Sequence, residues 1–370
     1  MKSSIAGARL GLRRMPALAV LTAALLFAAT ACSSSKTPSA GGGGGSSCAT
    51  ASKHLNLAFV YASTTDNPFQ EMALGAKAAA DQDGNVSLTE TAPTGIDGPK
   101  EVTLFQSAAR SATDGVAYMT TFPNLFVRPL QTALSANVPI VAVDALAPKG
   151  ADVKTAVANS NTELGVALGE AFVKANPNPN GEVVEGLDIP TLPLLQQRMA
   201  GFTSVVKQKL PHMKISGPFD TKPEATENYN AWKAVVQSHP NATAFVGVGG
   251  QDGVSLPLIK QQTGRNFLAG SADLPPQALT AVKNGQIFAL SSPEHWMKGY
   301  IATRMLIQSK RTCTAITEGW WNSGNLIVDK ANIDDIIARQ QTPDSRKAWF
   351  QKVITEQLQS KPVQPLTAAN

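Results

Sequence analysis

Aromatic residues make up only 6% of this chain and charged residues only 16%, so each ring or charge placed beside an element end is more informative than usual. Histidine is scarcer still. The four histidines, His54, His212, His239 and His295, are scattered, no pair stands at metal-ligand spacing, and the three cysteines form no cluster, which argues against a zinc site or metal-assisted chemistry. Beyond the N-terminal region no run approaches the roughly 18 apolar residues that cross a bilayer. The formal charge of +5 also shrinks on inspection. Four of the 32 basic residues (Lys2, Arg9, Arg13 and Arg14) precede Cys32 in a stretch without acids, leaving 28 basic against 27 acidic residues. A near-neutral remainder without basic clusters argues against nucleic acid as a partner. The stretch Gly247-Val-Gly-Gly-Gln-Asp-Gly253 has the glycines of a dinucleotide fingerprint, but it comes late in the chain with the wrong helix-entry spacing, so it reads as a glycine-rich turn. Glu294 and His295 are sequence neighbours and do not face each other on a helix as an acid/base pair would. Neither an enzyme nor a resident cofactor is expected.

The first 50 residues have the build of an export signal. A basic start leads into an apolar run from Ala17 to Ala29, then Ala29-Thr30-Ala31-Cys32 and a Ser/Gly stretch containing Gly41 to Gly45. The small residues before Cys32 fit ordinary secretory cleavage, but they also resemble a bacterial lipoprotein signal, in which the cysteine is acylated and becomes the new N-terminus. Ala29 stands where such signals more often carry leucine. The tether that follows favours the lipid anchor, because Ser33 to Ser47 is too polar and too entropic to pack. Cys48 and Cys313 then sit in an oxidising compartment, where a structural disulfide is expected over two free thiols.

After the signal about 320 residues remain, which at the usual ~100–200 residues per domain makes two domains. From Leu55 onward, apolar strand-like runs alternate with helical stretches. Leu55 to Tyr61 precedes a helix opened by Asn67 and Pro68, in which Phe69, Met72, Ala73, Ala76 and Ala80 form one apolar stripe. Strands follow near Val86 to Thr91, Gly115 to Met119 and Ile140 to Val143, then a second series near 182–187, 214–219, 244–248 and 267–270. These runs lack polar alternation, as expected of parallel strands covered by helices on both faces. The fold class is therefore α/β, in two similar lobes, each a parallel sheet flanked by helices. Ligands of such sheets bind beyond the carboxyl ends of the strands. That rule selects Asp66, Asn67 and Phe69 after the first strand, Phe122 to Asn124 after the third, Asp144 after the fourth, then Gly249 to Asp252 and Asp273.

Several motifs in order now match a family: Asn67-Pro68-Phe69, Pro-Ile-Val-Ala-Val-Asp144, Arg198-Met-Ala-Gly-Phe202, and Ala269-Gly-Ser-Ala-Asp273 with Ala281-Val-Lys-Asn-Gly285. From about His54 to Gln308 the chain resembles the ribose-binding type of periplasmic sugar-binding protein, a type I solute-binding protein of an ABC importer. The resemblance implies two lobes joined by three crossings and closing on a ligand between them. It implies the division 1–31 signal, 32–52 tether, 53–157 with 289–318 as first lobe, 158–288 as second lobe, and 319–370 as a C-terminal segment of extra helices packed outside a lobe. Carried over by position, Asn67 and Phe69 become first-lobe contacts, Asp144 and Asp273 acceptors for hydroxyls, and Arg198 a forked donor to two ligand oxygens. Tyr61, Phe122, Gln251 and Trp296 are further candidates. Physical chemistry points the same way, since burying a polyhydroxylated ligand requires paired, multivalent polar groups and a ring for its apolar face.

The chain departs from the ribose type in Ala145, where an arginine is expected, in Gly249-Gly250-Gln251-Asp252, where an asparagine is expected, and in Ser291-Ser292-Pro293, where a glutamine is expected. Gly249 either leaves space for a bulkier ligand or hands its role to Gln251 or Asp252, the latter more simply a helix cap. Ribose itself is thus disfavoured. The expectation is a monomeric, lipid-anchored receptor on the outer face of the cell membrane, delivering a sugar or sugar-like ligand to a membrane permease. The rivals are a sensory receptor of the same fold, a receptor for a polyol or nucleoside, a repressor core and a carbohydrate-acting envelope enzyme.

Overall fold

Short runs such as Ile-Val-Ala-Val at 140–143 and Ala-Phe-Val-Gly at 244–247 are buried along their whole length, because helices cover both faces of the sheets they form. The computed structural model describes Cys48, residues 52–360 and residues 363–369; the signal, Cys32 and nearly all of the tether lie outside the described residues. The first sheet has the order β13-β11-β5-β4-β3-β1-β2, built from β1 (Leu55–Val60), β2 (Val86–Thr91), β3 (Gly115–Tyr118), β4 (Ile140–Val143), β5 (Thr155–Ala158), β11 (Gly319–Asn322) and β13 (Val363–Gln364). The second has the order β12-β10-β9-β8-β6-β7, from β6 (Glu182–Leu187), β7 (Lys214–Asp220), β8 (Ala244–Gly247), β9 (Leu268–Ala272), β10 (Ala289–Ser292) and β12 (Leu326–Val328). All pairings are parallel except those of β13 and β12, the last strand of each sheet.

The helix α1 (Asn67–Asp83) lays Phe69, Met72, Ala73 and Ala76 onto the first core and ends at Gly84, whose left-handed φ of 78° lets its N–H return to Ala80. Asp66, not Asn67, is the N-cap residue, and it makes no side-chain cap bond, so the Asn67 amide is not consumed as a cap. Helix α9 (His295–Thr312) packs on α1 so closely that a Cβ on Gly75 would lie 1.9 Å from the Trp296 carbonyl oxygen. The second lobe repeats this arrangement. Between α4 (Asn161–Ala175) and α5 (Pro193–Lys209), a Cβ on Gly165 would lie 1.8 Å from the Arg198 carbonyl oxygen. These backbone contacts set the heights of His295 and Arg198 above their sheets. Cys48 is bonded to Cys313, which caps the C-terminal end of α9.

The expected lobe boundaries need correction. β10, at 289–292, pairs with β9 and so belongs to the second sheet, and the chain returns to the first lobe only with α9. Nor is the tail an outer addition. β11 runs parallel to β5 inside the first sheet and β12 closes an edge of the second. Helix α10 (Ile333–Gln340) sends Ile333 and Ile336 into the second core, whereas α11 (Pro343–Ser360) sends Phe350 and Ile354 into the first. The chain therefore crosses four times, after β5, β10, β11 and α10. The fourth crossing is flanked by two ion pairs, Arg339 with Glu294 at 2.9 Å and Arg346 with Glu71 at 2.8 Å.

Gly165→Ala is expected to destabilise the protein by about 1–3 kcal/mol or more, because the new methyl drives α4 from α5. At an open helical site the same change stabilises by roughly 0.4–1 kcal/mol. Urea unfolding reads the sign, and a variant at least as stable as wild type would refute the close helix contact.

Candidate functional site

The carboxyl ends of both sheets face one cavity of about 490 Å³ between the lobes. Its lining includes Asp66, Asn67 and Phe69 after β1, Asp144 after β4, Asp188 after β6, Gln251 after β8, Asp273 after β9, and Arg198 and His295 from helices α5 and α9. The lobes also approach each other beside it. A Cβ on Gly95 of the first lobe would lie 3.1 Å from Glu224 Oε1 of the second, and one on Gly250 would lie 3.6 Å from Pro68 Cδ.

Asp144 and Asp273 occupy matching places. Each follows a buried strand, adopts left-handed backbone (φ 68° and 62°), and donates its N–H to the neighbouring strand, at Val157 and Ser291 respectively. Left-handed conformation costs a non-glycine residue about 1–2 kcal/mol, and such strain concentrates at functional sites. What it achieves here is to turn two carboxylates into one cleft. Asp144 takes a hydrogen bond from the buried Lys298 ammonium, which also donates to Asn159 Oδ1 at 2.6 Å. His295 Nε2 lies 2.9 Å from Asp273 Oδ1, and its Nδ1 lies 3.7 Å from Asp144 Oδ1. Burial alone would raise the Asp144 pKa, but Lys298, His295 and Arg198 together hold it down to about 2. The same burial draws the Lys298 ammonium down, and Asp144 opposes that shift.

Arg198 is buried, and its guanidinium is largely committed within the second lobe. Nε and Nη2 donate to Asn161 Oδ1 at 3.3 and 3.0 Å, and Nη1 donates to the Val248 carbonyl at 2.7 Å. Asp273 Oδ1 stands 4.0 Å from Nη1. The fork inferred from resemblance is thus turned onto Asn161 and Val248. Of the five N–H groups of an arginine, three are used this way, and one hydrogen on each terminal nitrogen remains.

The glycine run at 247–250 is explained by two carboxyl groups. A Cβ on Gly247 would meet Asp252 at 2.2 Å and one on Gly249 would meet Asp188 at 1.9 Å, so protein side chains, not a bulkier ligand, fill the space at Gly249. Asp252 turns away from the cleft. Its Oδ1 accepts from Thr221, Asn228 and Trp232, and its Oδ2 from the Gly249 N–H at 2.9 Å. Burial raises the Asp252 pKa, and those four bonds oppose that shift without cancelling it. Asp188 is fully buried without comparable support, so burial first, then the nearby charges of Asp252 and Asp273, push its pKa well up despite Arg198. Asp66 is also raised, by burial and by Glu224 across the cleft.

Of the residues inferred from sequence, the structure gathers Asn67, Phe69, Asp144, Arg198, Gln251 and Asp273 around the cavity. Three aromatic candidates lie elsewhere. Tyr61 stacks on Phe59, Phe122 packs over Gly98, and Trp296 is sandwiched between Tyr300 and Phe350 at 5.1 Å from each ring. Residue-level reasoning missed Asp188, His295 and Lys298. Asp188 had the strand-end signal, and His295 and Lys298 share a helix face at three-residue spacing. Four buried polar atoms in the lining have no hydrogen-bond partner within the protein: Asp66 Oδ2, Asn67 Oδ1, Asp188 Oδ1 and His295 Nδ1. Among the described residues no cluster of ligating side chains suits a metal ion, and no helix is long and apolar enough to cross a membrane.

Solved structures share this architecture. A glucose-galactose binding protein from Geobacillus stearothermophilus is 20% identical, with a TM-score of 0.68 over 75% of this chain and 98% of that one. An arabinose binding protein from the same organism is 20% identical, with a TM-score of 0.65 over 76% and 99%. An ABC transporter solute-binding protein from Agrobacterium vitis, solved with D-fucose bound, is 18% identical, with a TM-score of 0.69 over 77% and 98%. At these identities the likeness establishes the fold, two α/β lobes around a cleft. A search of curated protein sequences returns no match. Residues 57–311, more than half of the chain, match the periplasmic binding protein domain, so this chain belongs to that family of extracytoplasmic binding proteins, which are not enzymes.

Proposed function

We propose that this protein is the solute-binding component of an ABC importer, capturing a sugar or sugar-like polar molecule between its lobes and presenting it to a membrane permease. Cys32 carries the lipid that tethers the monomer to the outer face of the membrane, and the Ser/Gly segment gives it reach. The observation that carries the reading is the set of unpaired buried polar atoms contributed from both lobes. A buried group left unpaired costs about 1–3 kcal/mol, and a ligand rich in hydroxyls satisfies several at once. Asn67 and Asp144 bind from the first lobe, Asp273 and the two remaining Arg198 hydrogens from the second, and the ring of Phe69 covers an apolar sugar face. The structural neighbours named for glucose-galactose and arabinose binding, and the one holding D-fucose, support this substrate class. A sensory receptor would use the same cleft and differ in its membrane partner.

A melting-temperature screen over pentoses, hexoses, polyols and nucleosides tests the ligand class. A true ligand at a hundred times its Kd stabilises the native state by about 2.7 kcal/mol. Asp273→Asn is expected to weaken that ligand about 10–100-fold, the ~1.5–3 kcal/mol of a hydrogen bond involving charge, and Asn67→Ala about 2–10-fold, the ~0.5–1.5 kcal/mol of a neutral one. Unchanged affinity in both variants would place the site elsewhere.

Asp188 makes a separate prediction about pH. An unfolded aspartate titrates near ~3.9, and the folded one titrates well above that. Between those values the folded protein keeps a proton that the unfolded chain has lost, so Asp188 makes stability fall as pH rises. Asp188→Asn removes that contribution and reduces the slope by up to about 1.4 kcal/mol per pH unit across the window. Urea unfolding from pH 5 to 7 measures it. A slope identical to wild type would show that burial does not raise the Asp188 pKa in the folded protein.

A further inference from the structure

The carboxyl groups of the cleft fall into two sets. On the crossing side, Asp144 has Lys298 beside it and Asp273 has His295. Toward the far edges of the sheets, β2 and β7, three more carboxyl groups gather: Asp66 after β1, Asp188 after β6 and Glu224 after β7. Among the described residues none of these three forms an ion pair. Lys222, the base nearest Glu224 in sequence, is bonded to Asp220, and Arg198, whose charge reaches Asp188, directs its bonds to Asn161 and Val248. Asp66 and Glu224 come from opposite lobes. Thr65 Oγ1 donates to the Thr94 carbonyl at 2.9 Å, tying the loop of Asp66 to that of Gly95, and Glu224 Oε1 would lie 3.1 Å from a Cβ on Gly95. Like charges thus meet across the cleft, and Glu224 adds to burial in pushing the Asp66 carboxyl up.

Hydrogen bonding is unbalanced in the same direction. The unpaired buried atoms of the lining are Asp66 Oδ2, Asn67 Oδ1, Asp188 Oδ1 and His295 Nδ1. The amide oxygen is an acceptor, a carboxyl group keeps an accepting oxygen whether or not it is protonated, and His295 Nδ1 accepts when Nε2 donates to Asp273. Asp188 is only 9% exposed, so water is largely excluded from it. A neutral sugar answers such a surplus poorly, because each hydroxyl brings one donor together with lone pairs that need donors of their own. A protonated amine brings three donors and no acceptor. Among the described residues no group of ligating side chains suits a metal ion, so the cation that this end accepts is part of the ligand.

Resting on the sugar-type function proposed above, we infer that the ligand carries a protonated amine, as an amino sugar or amino polyol does, with hydroxyls at Asp144 and Asp273 and its ammonium between Asp66 of the first lobe and Glu224 of the second. Asp188, on the strand end beside that of Glu224, accepts a further N–H or O–H. Closure is where the cation counts most. Bringing Asp66 and Glu224 together in an empty cleft sets two anions against each other, and a cation between them turns that repulsion into attraction, so the ligand gains affinity in the closed form specifically.

Calorimetric titration of the full-length protein at about pH 6.5, where simple amines are charged, tests this with D-glucosamine, D-galactosamine, D-mannosamine and the amino polyol glucamine. Each is compared with its neutral parent, which has a hydroxyl in place of the amine, and with its N-acetyl derivative, which keeps the nitrogen and loses the charge. The amine that binds is expected to do so at least tenfold more tightly than either. Glu224 is exposed and Asp66 half-buried, so Asp66→Asn and Glu224→Gln leave the core intact. Each should lower the ratio of amine to parent affinity at least about threefold. A parent or an N-acetyl derivative binding as tightly as its amine would overturn the inference and leave the sugar-binding function standing. A ratio unchanged in both variants would overturn the placement of the ammonium. If nothing in the panel binds, the sugar reading itself falls, and this inference falls with it.

Discussion

A closed circuit of polar contacts runs through the crossings between the lobes, and the site depends on it. Asp144 bonds Lys298, Lys298 bonds Asn159, Asn159 reaches Asn161, and Asn161 accepts from Arg198. Arg198 faces Asp273, Asp273 pairs with His295, and His295 returns to within 3.7 Å of Asp144. Asn159 and Asn161 flank the first crossing, His295 and Lys298 follow the second, and Asn325, bonded by Asn159 at 3.3 Å, lies in the third. Every member is buried or half-buried, so the alternative partner, water, is largely removed. Opposite charges and amides must then satisfy one another, which fixes Asp144 and Asp273 relative to each other across a junction that has to bend.

The repetition of one design in both lobes explains why so few residues suffice. Each lobe puts an aspartate in left-handed backbone at a strand end, and each presses two helices together over glycine, at Gly75 in α1 and at Gly165 in α4. In the first lobe the partner helix α9 comes more than 200 positions after α1 and brings His295 and Lys298 to the Asp144 carboxylate. In the second the partner α5 brings Arg198 toward Asp273. The tail adds a contact that the two-lobe pattern does not require. By placing α10 on the second core and α11 on the first, with an ion pair on either side of the joint, it makes the back of the hinge a packed surface.

The alternation of strands and helices was legible in the sequence because it rests on local apolar periodicity, and strand-end aspartates could be found from the rule for parallel sheets. Asp144 and Asp273 were visible on both grounds. What local pattern does not carry is sheet membership. Ala-Leu-Ser-Ser at 289–292 looks the same whichever lobe it joins, and only its pairing with β9 decides. The same holds for Gly-Trp-Trp-Asn at 319–322, whose place beside β5 is a long-range pairing. Trp296 illustrates the limit for single residues. A large ring near a strand end has two sides on which to bury itself, and here it stacks with Phe350, a residue of the tail that no local signal connects to it. Asp188 carried the strand-end signal, but its role follows from the space left by Gly249 in another strand-end loop, which no local pattern shows.

These features together indicate why closure and ligand capture are one event. Asp66 Oδ2 and Asn67 Oδ1 belong to the first lobe, Asp188 Oδ1 to the second, and His295 Nδ1 to the helix after the second crossing. In an open cleft water can satisfy all four. Closing the lobes strips that water, and at about 1–3 kcal/mol for each group left unpaired the closed form without a solute carries a penalty of several kcal/mol. A ligand whose hydroxyls replace the water removes that penalty only in the closed form. Its differential affinity for the two forms is therefore built into the unpaired atoms, and a shift of about 5.5 kcal/mol is what moves a hinge from 1:99 to 99:1. A cleft lined with fully paired side chains would bind less selectively and would close whether or not it held anything.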